Sequence, residues 1–387
     1  MAKYVIDDTT LTGIADAIRN KTSGTEPIAV LDMARQIKDI KSGGADEEWI
    51  GDGNTRLWVH LTDERKAPLV GVGIKGTVIV DWGDGTEPNV LTGTSTSTGR
   101  YTPNHEYAKA GDYVITLIVN GEMRILGGSS STAPILAAYS ADYVNNILYK
   151  YALQKIEIGN GVTSIGPRAF YGCHNLTSVT IPEGVTTIDE YTFYRCYNLA
   201  SINIPEGVTK IGASAFSGCD NLASINIPEG VTSIGWDAFE DCHNLTSLKI
   251  PEGVTKIDTH TFSGCYNLTS VTIPEGVTSI GEYAFENCYS LASITIPEGV
   301  TSIGAYAFNH CHSLPSLKIP GSVTGIGKYA FYNTYSAEFL DFTDHAAVPS
   351  LGSSAFYANK ILVPMALVNT WRSATSGQLS ASQIVGV

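Results

Sequence analysis

The chain has 387 residues, of which 43% are hydrophobic and 16% are charged, so it can bury more than one hydrophobic core. Its formal net charge of −14 argues against a nucleic-acid backbone or an anionic membrane as the main partner. No apolar run reaches the length of a membrane span, so no membrane insertion is expected, and the first residues lack the apolar region of a secretory signal.

Residues 1–41 are predicted to form a small helical attachment segment. Thr10 can cap a helix with Leu11, Ile14 and Ile18 on one side, and a second helix is expected near residues 27–40. Two such helices are too small to be stable alone, so the segment is expected to dock on another domain, another copy or a larger assembly. The pattern T-L-T-G-I-A-D-A-I-R-x-K-T-x-x-x-x-P-I at residues 10–28 resembles an N-terminal segment of tail and minor structural proteins of phages that infect Firmicutes. A generic helical hairpin is the alternative.

Residues 46–126 have β-strand patterning and are predicted to form a separate domain, with strands at 57–61, 77–80 and 113–119. The motif V-D-W-G-D-G-T at 80–86, followed by H-E-Y at 105–107 and G-D-Y at 111–113, resembles the PKD domain. That resemblance implies an immunoglobulin-like β-sandwich that acts as a spacer or interaction module, with Trp82 in its core. Asp81 and Asp84 are interpreted as turn residues, and calcium ligation is the alternative.

The segment Gly71–Gly76 fits the phosphate-binding pattern G-x-G-x-x-G, but it leads into a strand, whereas a phosphate site needs a helix N-terminus. It is therefore predicted to be a strand with glycine bends. The sequence contains no G-x-S-x-G, H-E-x-x-H or P-loop motif. We expect no enzyme activity, no catalytic residue, no cofactor and no metal site.

The second half of the chain repeats every 23 residues. All seven cysteines keep this step: Cys173, Cys196, Cys219, Cys242, Cys265, Cys288 and Cys311. A leucine ladder (Leu153 to Leu314) and a phenylalanine ladder (Phe170 to Phe331) follow the same 23-residue step. A less regular coil comes after them, in which Phe356 is displaced by two residues from the step. One coil cannot bury its apolar side chains alone, so residues 153–360 are predicted to stack into a solenoid about 43 Å long.

Each coil is predicted to contain a strand and a short helical turn. Leu176, Val179 and Ile181 have the spacing of a strand with an inward apolar face, and Pro-Glu-Gly ends it. The position of Asp189, usually glycine in other coils, is predicted to be a left-handed corner. Residues 134–152 should seal the first coil. Residues 361–387 should seal the last with a strand and a helix that buries Leu367 and Trp371.

The cysteines are interpreted as buried free thiols that fill the core. Stacked positions project parallel side chains, which is a poor direction for disulfides, and no zinc-ligand spacing is present. A disulfide ladder, a zinc site and a nucleophile are the alternatives. The motif I-P-x-x-V-x-x-I-G-x-x-A-F-x-x-C resembles the BspA-like, or Treponema-type, leucine-rich repeat over residues 150–360. That resemblance implies an extracellular binding or adhesion module.

Positions that vary between coils are the candidates for binding, because the scaffold positions hardly change. One row follows the glycine corner and the other follows the cysteine, and each should run down the solenoid as a stripe. The candidate ligand-binding residues are Tyr191, Trp236, His260, Tyr283, Tyr306 and Tyr329 in the first row, and His174, Tyr197, His243, Tyr266, Tyr289 and His312 in the second. Aromatic and imidazole side chains suit glycan or protein recognition. The alternative is that they only cover neighbouring turns.

Two further ladders are predicted to be structural. The asparagines from Asn175 to Asn267, continued by Ser290 and Ser313, are expected to bond backbone groups where the chain turns. The glutamates from Glu183 to Glu298 are expected to be solvated and partly offset by lysines. Divalent-cation binding by this glutamate ladder is the alternative.

The sequence therefore predicts a multidomain, non-enzymatic binding protein. The leading hypothesis is a phage or prophage tail-associated protein, located in the virion, that recognises a bacterial surface glycan or protein through the repeats. Residues 1–41 would bind other tail proteins, and a homotrimer is a further expectation. The alternative is a BspA-like adhesin on the bacterial cell surface. A polysaccharide hydrolase with an unrecognised site is the third possibility.

Overall fold

The computed structural model describes residues 54–61, 72–95, 105–125, 152–334, 338–356, 360–375 and 377–387. The predicted helical segment 1–41 and all but the last residue of the predicted cap 134–152 lie outside these ranges. Within them, a short antiparallel sheet leads into a solenoid of about ten turns.

The antiparallel sheet contains four strands: β1 Thr55–Leu61, β2 Val72–Asp81, β3 Asn89–Ser95 and β4 Gly111–Ile125. Their order across the sheet is β3-β2-β4-β1. In the β2–β4 pair Gly76 lies opposite Gly121, and a Cβ added to either would come 2.3 Å from a carbonyl oxygen of the facing strand. From Val72 onward the G-x-G-x-x-G segment is therefore part of strand β2, as predicted, and its last glycine allows the two backbones to approach closely.

The W-G-D-G-T motif forms a tight turn after β2. Trp82 is buried, stacks on His105 and donates a hydrogen bond from Nε1 to Asn89. Asp81 accepts the backbone N–H of Gly83 at 2.8 Å, while Asp84 accepts from Thr86 and contacts the His105 ring. Both aspartates are thus held by turn groups, which agrees with the turn interpretation rather than with calcium ligation.

The antiparallel sheet and the solenoid share one continuous sheet. Strand β1 pairs with the first strand of the solenoid, β5 Leu153–Glu157, and β4 pairs with β6 Val162–Ile165. The apolar side chains of both parts form one hydrophobic core. The described strands therefore form a single layer that covers the first coil. The predicted two-sheet immunoglobulin-like sandwich is not confirmed, although the predicted strand positions and the buried Trp82 are.

The solenoid has two faces of short parallel strands. The first face continues from β5 with β7 Ser178–Thr180, β9 Ser201–Asn203, β12 Ser247–Lys249, β14 Ser270–Thr272, β16 Ser293–Ile294, β18 Ser316–Lys318, β20 Phe339–Asp341 and β22 Lys360–Val363. The second face continues from β6 with β8 Thr187–Ile188, β10 Lys210–Ile211, β11 Ser233–Ile234, β13 Lys256–Ile257, β15 Ser279–Ile280, β17 Ser302–Ile303, β19 Gly325–Ile326 and β21 Ser350–Leu351. Between regular coils, paired residues are 23 positions apart, as in Leu248 with Val271.

The core of the solenoid is built from the ladders seen in the sequence. The phenylalanine rings stack from Phe170 to Phe331 with neighbouring centroids 5.2 to 5.7 Å apart. Phe331 then stacks on Phe356 at 6.2 Å, so the two-residue shift in the last repeat leaves the ladder intact. The leucine ladder is also buried.

The phenylalanine segment of each coil is a run of turns, not the short helix that we predicted. In the coil of Phe285 the N–H groups of Tyr283, Phe285 and Asn287 point to the next coil and bond the carbonyls of residues 305, 307 and 309 at 2.8 to 2.9 Å. Tyr283 and Asn287 both have positive φ, 57° and 59°. Alternate residues therefore bond between coils, whereas a helix would keep those bonds within the segment.

The glycine before this segment has a different role from the one predicted. The left-handed residue is two positions later, at Tyr191 rather than at Asp189. The glycine instead permits close stacking of coils: a Cβ on Gly304 would lie 2.5 Å from the backbone nitrogen of Glu282 in the preceding coil. The prediction of a left-handed corner at this position was wrong by two residues.

All seven cysteines are free and buried, which confirms their interpretation as core-filling thiols. Each thiol from Cys196 onward also donates to the phenylalanine carbonyl of the preceding coil, as in Cys242 Sγ to Phe216 O at 3.3 Å. Burial raises the pKa of these thiols well above its ordinary value. They are consequently weak nucleophiles.

The polar ladders differ in one respect from the prediction. Asn198 bonds a backbone carbonyl as expected, but Asn221, Asn244 and Asn267 each donate from Nδ2 to the amide oxygen of the preceding asparagine. The glutamate ladder is exposed, and Lys249 pairs with Glu229 at 2.6 Å. That pair agrees with the predicted offset by lysines.

The last coil is closed by a strand, a helix and a second strand. After β22, a 3₁₀ turn Met365–Leu367 leads into helix α1 Val368–Ala374, which buries Trp371 against Phe342. Leu367 packs on the same core, as predicted. A second 3₁₀ turn, Ala381–Gln383, precedes β23 Ile384–Gly386, which pairs with β22 and was not predicted.

Candidate binding surface

Two rows of side chains run along the turn segments of the solenoid. The corner row consists of the positive-φ residues Arg168, Tyr191, Ser214, Asp237, His260, Tyr283, Tyr306 and Tyr329. The post-cysteine row consists of His174, Tyr197, Asp220, His243, Tyr266, Tyr289 and His312. Both rows keep the one-repeat step, so the coil geometry brings together the candidate residues within each row.

The corner row is positioned by its backbone. Each member donates its N–H to the next coil, as Tyr283 does to the carbonyl of residue 305 at 2.8 Å. The left-handed conformation at this residue breaks what would otherwise be a helix, and the same conformation recurs in the next coil. The side chains are thereby held in register. Trp236, one position before the row, is the most exposed candidate ring at 44% and meets Tyr191 edge to face at 6.0 Å.

Rings in the corner row stack on each other. His260 and Tyr283 lie 4.5 Å apart and 10° from parallel, Tyr283 and Tyr306 lie 4.8 Å and 5° apart, and Tyr306 and Tyr329 follow at 5.0 Å. At the other end, the guanidinium of Arg168 lies 4.6 Å from the centre of the Tyr191 ring.

The post-cysteine row stacks in the same way. His174 stacks on Tyr197 at 4.7 Å, and after a break at Asp220 the rings of His243, Tyr266, Tyr289 and His312 follow at 4.5 to 5.4 Å. Its tyrosines are 36% to 38% exposed.

Stacking determines which part of each ring a partner can reach. A ring between two parallel neighbours at about 5 Å has both faces covered, so it presents its edge and its hydroxyl group to solvent. The two sequence interpretations of these residues, recognition and cover for neighbouring turns, are therefore compatible. The faces stabilise the coils, and the edges remain available.

Acidic side chains interrupt both rows near the middle of the solenoid. Two members of the corner row, Asp237 and His260, lie close to Glu240, and ligand atoms of the three residues are all within 4.8 Å of one another. Burial, followed by the nearby charges of Asp237 and Asp241, raises the pKa of Glu240 to about 7. Among the residues that the structure describes, Asp237, Glu240 and His260 are the group whose ligand atoms lie close enough together to hold a metal ion. This group was not predicted from the sequence because Glu240 belongs to neither row, although the 23-residue step places His260 over Asp237.

An open depression lined by Pro167, Asp189, Glu190, Lys210 and Gly212 has a volume of about 230 Å³. Sites for small molecules usually enclose about 300 to 1,000 Å³. This depression is therefore smaller than a usual small-molecule site.

The strand face offers a third, more polar stripe, formed by Thr180, Asn203, Asn226, Lys249, Thr272, Thr295 and Lys318. Its two lysines form ion pairs, Lys249 with Glu229 and Lys318 with Asp344. It carries no aromatic side chain and makes a useful control surface.

Comparison with known proteins gives a family match in the repeats. The profile of the BspA type leucine rich repeat region matches residues 144–268 and 232–363, in six copies, which is more than half of the chain. None of the curated proteins matches the chain. Among the described residues, no helix is long and apolar enough to cross a membrane.

Several solved structures are similar to this chain. A leucine-rich repeat protein from Bacteroides ovatus is 21% identical, with a TM-score of 0.43, over 70% of this chain and 99% of its own. The Treponema pallidum leucine rich repeat protein is 30% identical, with a TM-score of 0.37, over 44% and 84%. A leucine rich cell surface protein from Faecalibacterium prausnitzii is 26% identical, with a TM-score of 0.24, over 60% and 93%. Because these TM-scores are below 0.5, the assignment depends on the repeat profile.

The repeat match favours the adhesin alternative over the phage-tail hypothesis. Repeat proteins of this type are generally non-enzymatic binding proteins and are typically found at the cell surface. The comparisons do not support a virion location or a tail function. Attachment through residues 1–41 and the homotrimer stay predictions.

Proposed function

Because this chain belongs to the BspA-type leucine-rich repeat family, we propose that it is a cell-surface binding protein of the adhesin kind whose turn face engages a protein partner. The observation that carries the proposal is the stacking of the corner and post-cysteine rows in register over successive coils. Conserving a regular scaffold does not require tyrosine or histidine at these turns, because serine and aspartate occupy the same positions in other coils.

The ring geometry favours a protein over a glycan. Flat sugar rings bind to the open faces of aromatic side chains, and most faces in the two rows are covered by the next ring. Exposed edges and hydroxyl groups of tyrosine are common in protein interfaces. At about 4.8 Å per coil, a row of eight coils is about 38 Å long, which matches an extended protein contact.

Binding of the labelled, purified chain to a panel of bacterial and mammalian cells tests this proposal. Saturable binding that is lost after the cells are treated with protease, and kept after mild periodate oxidation of their glycans, is the expected result. Loss after periodate but not after protease would identify a glycan receptor and contradict the choice of a protein partner. Absence of saturable binding across the panel would contradict the adhesin function.

A further inference from the structure

We infer that the turn segments around residues 237 and 260 bind one zinc-like divalent cation through Asp237, Glu240 and His260. Asp237 and Glu240 come from one coil, and His260 comes from the next, directly after Asp237 in the corner row. Their ligand atoms lie within 4.8 Å of one another. Zinc–ligand distances are about 2.0 to 2.2 Å, so small rotamer changes would bring all three atoms to one ion.

The imidazole of His260 lacks a hydrogen bond on the side of the carboxylates. Its Nδ1 atom is buried and has no hydrogen-bond partner, although buried nitrogen atoms of this kind are usually satisfied. The nearest acidic atom, Glu240 Oε1, lies 3.9 Å away, too far for a hydrogen bond. The imidazole ring is held in its position because it stacks on the ring of Tyr283. A cation between Nδ1 and the carboxylates would satisfy this nitrogen.

Neighbouring serines hold the two carboxylates. Ser217 donates from Oγ to Glu240 Oε2 at 3.3 Å, which leaves Oε1 on the side of His260. Ser214, in the coil before, bonds the side chain of Asp237. Hydrogen bonds of this kind orient metal ligands and increase metal affinity.

The donor set selects the class of ion. One imidazole nitrogen and two carboxylates suit Zn²⁺ and related divalent transition metals, whereas Ca²⁺ prefers six to eight oxygen ligands. The neighbouring group around His243 does not offer the same site. Its Nδ1 faces Asp220 at 3.6 Å and its Nε2 faces Asp241 at 3.7 Å, so the carboxylates lie on different ring nitrogens and do not converge on one ion.

The repeat provides an internal comparison. In the coil two repeats later, Glu286 occupies the position of Glu240, but the corner row there consists of Tyr283 and Tyr306. Glu286 therefore has the same backbone setting without the other two ligands. A Glu286→Gln variant is a matched control for Glu240→Gln, because it removes the same charge from the same type of turn.

Isothermal titration calorimetry of the metal-free full chain with zinc chloride tests the inference. The absorption spectrum of the chain with Co²⁺ in place of zinc gives a second readout of the ligand set. We expect one site in the wild-type chain, an affinity loss of at least about 10-fold in Glu240→Gln and in His260→Gln, and no change in Glu286→Gln. Circular dichroism establishes that each variant is folded.

Three results would overturn the inference. The wild-type chain could bind no zinc, both ligand variants could retain the wild-type affinity, or Glu286→Gln could lose as much affinity as Glu240→Gln. The last result would show that zinc responds to the general negative charge of the turn face and not to the site of Asp237, Glu240 and His260.

Discussion

The imidazole ring of His260 stacks on the phenol ring of Tyr283, with centroids 4.5 Å apart and planes 10° from parallel. This contact joins two coils at an exposed turn, where backbone bonding alone would otherwise connect them. Tyr306 and Tyr329 continue the stack. The surface row is thus also part of what holds successive coils together.

Tyr306→Ala should destabilise the solenoid more than Tyr197→Ala. Tyr306 stacks on a parallel ring on each side, whereas Tyr197 stacks on a ring on one side only, His174, because Asp220 occupies the same position in the next coil. Each aromatic pair contributes about 0.5 to 1.5 kcal/mol, so we expect a difference of about 1 kcal/mol in the free energy of unfolding. Urea denaturation followed by circular dichroism measures it. Equal losses would show that stacking contributes little to coil stability.

Gly304→Ala should be strongly destabilising, while Gly325→Ala should be tolerated. A Cβ on Gly304 would lie 2.5 Å from backbone atoms of the preceding coil, which cannot move without separating the coils, whereas a Cβ on Gly325 meets no atom within 4 Å. We expect a cost of about 3 kcal/mol for the first and less than about 0.5 kcal/mol for the second. The melting temperatures of the two variants test this. A well-folded Gly304→Ala protein with wild-type stability would contradict the role assigned to this glycine.

The cysteines should be unreactive in the native protein. All seven are buried, and burial raises the pKa of thiols such as Cys196 and Cys242, so little thiolate is present or accessible at neutral pH. Ellman's reagent should modify none of them rapidly in buffer and all seven in guanidinium chloride. Fast reaction of any cysteine in the native chain would show that a coil opens far more readily than its packing implies.

The last coil should lose stability as the solution becomes acidic. His345 is buried, and this burial lowers its pKa below the ordinary value of 6.5, although the hydrogen bond from its Nε2 to the carbonyl of Val323 partly opposes the shift. The unfolded chain therefore binds a proton first, and the stability that this residue provides is complete above pH 6.5 and is lost as the pH falls through the range below it.

His345→Gln is the corresponding control. The wild-type chain should lose more unfolding free energy than this variant when the pH is lowered from about 7.5 to about 5.5, because only the wild type carries the titrating imidazole. Chemical denaturation at both pH values measures the difference. Parallel pH dependence of the two proteins would rule out His345 as the source.

Periodicity made much of the solenoid predictable. A strict 23-residue step fixes which side chains stack, so the buried phenylalanine, leucine and cysteine ladders followed from the sequence, as did the two surface rows. The buried Trp82 and the helix that buries Trp371 also had clear local signals. These features depend on which residues face inward, and the recurrence of apolar residues at fixed positions identifies those residues directly.

Backbone detail was less predictable. Ala-Phe followed by cysteine has apolar spacing compatible with a helical turn, but bonding to the next coil, as in Phe285 N to the carbonyl of residue 307, replaces the helix. The left-handed residue is Tyr283 rather than Gly281, the glycine two positions earlier, because that glycine is needed for close approach of the coils. The continuous sheet through β1 and β5 depends on long-range pairing, which the local PKD-like motif does not specify.

The most direct measurement of the proposed function is cell binding by variants of the turn face. Tyr266→Ser combined with Tyr289→Ser removes two neighbouring rings that are 37% and 38% exposed, and Thr272→Ala combined with Thr295→Ala changes two exposed residues on the strand face as a control. Flow cytometry with the labelled chains should show affinity lower by about 10-fold or more for the tyrosine variant and unchanged for the threonine variant. Wild-type affinity in the folded tyrosine variant, or equal loss in both, would contradict binding through the turn face.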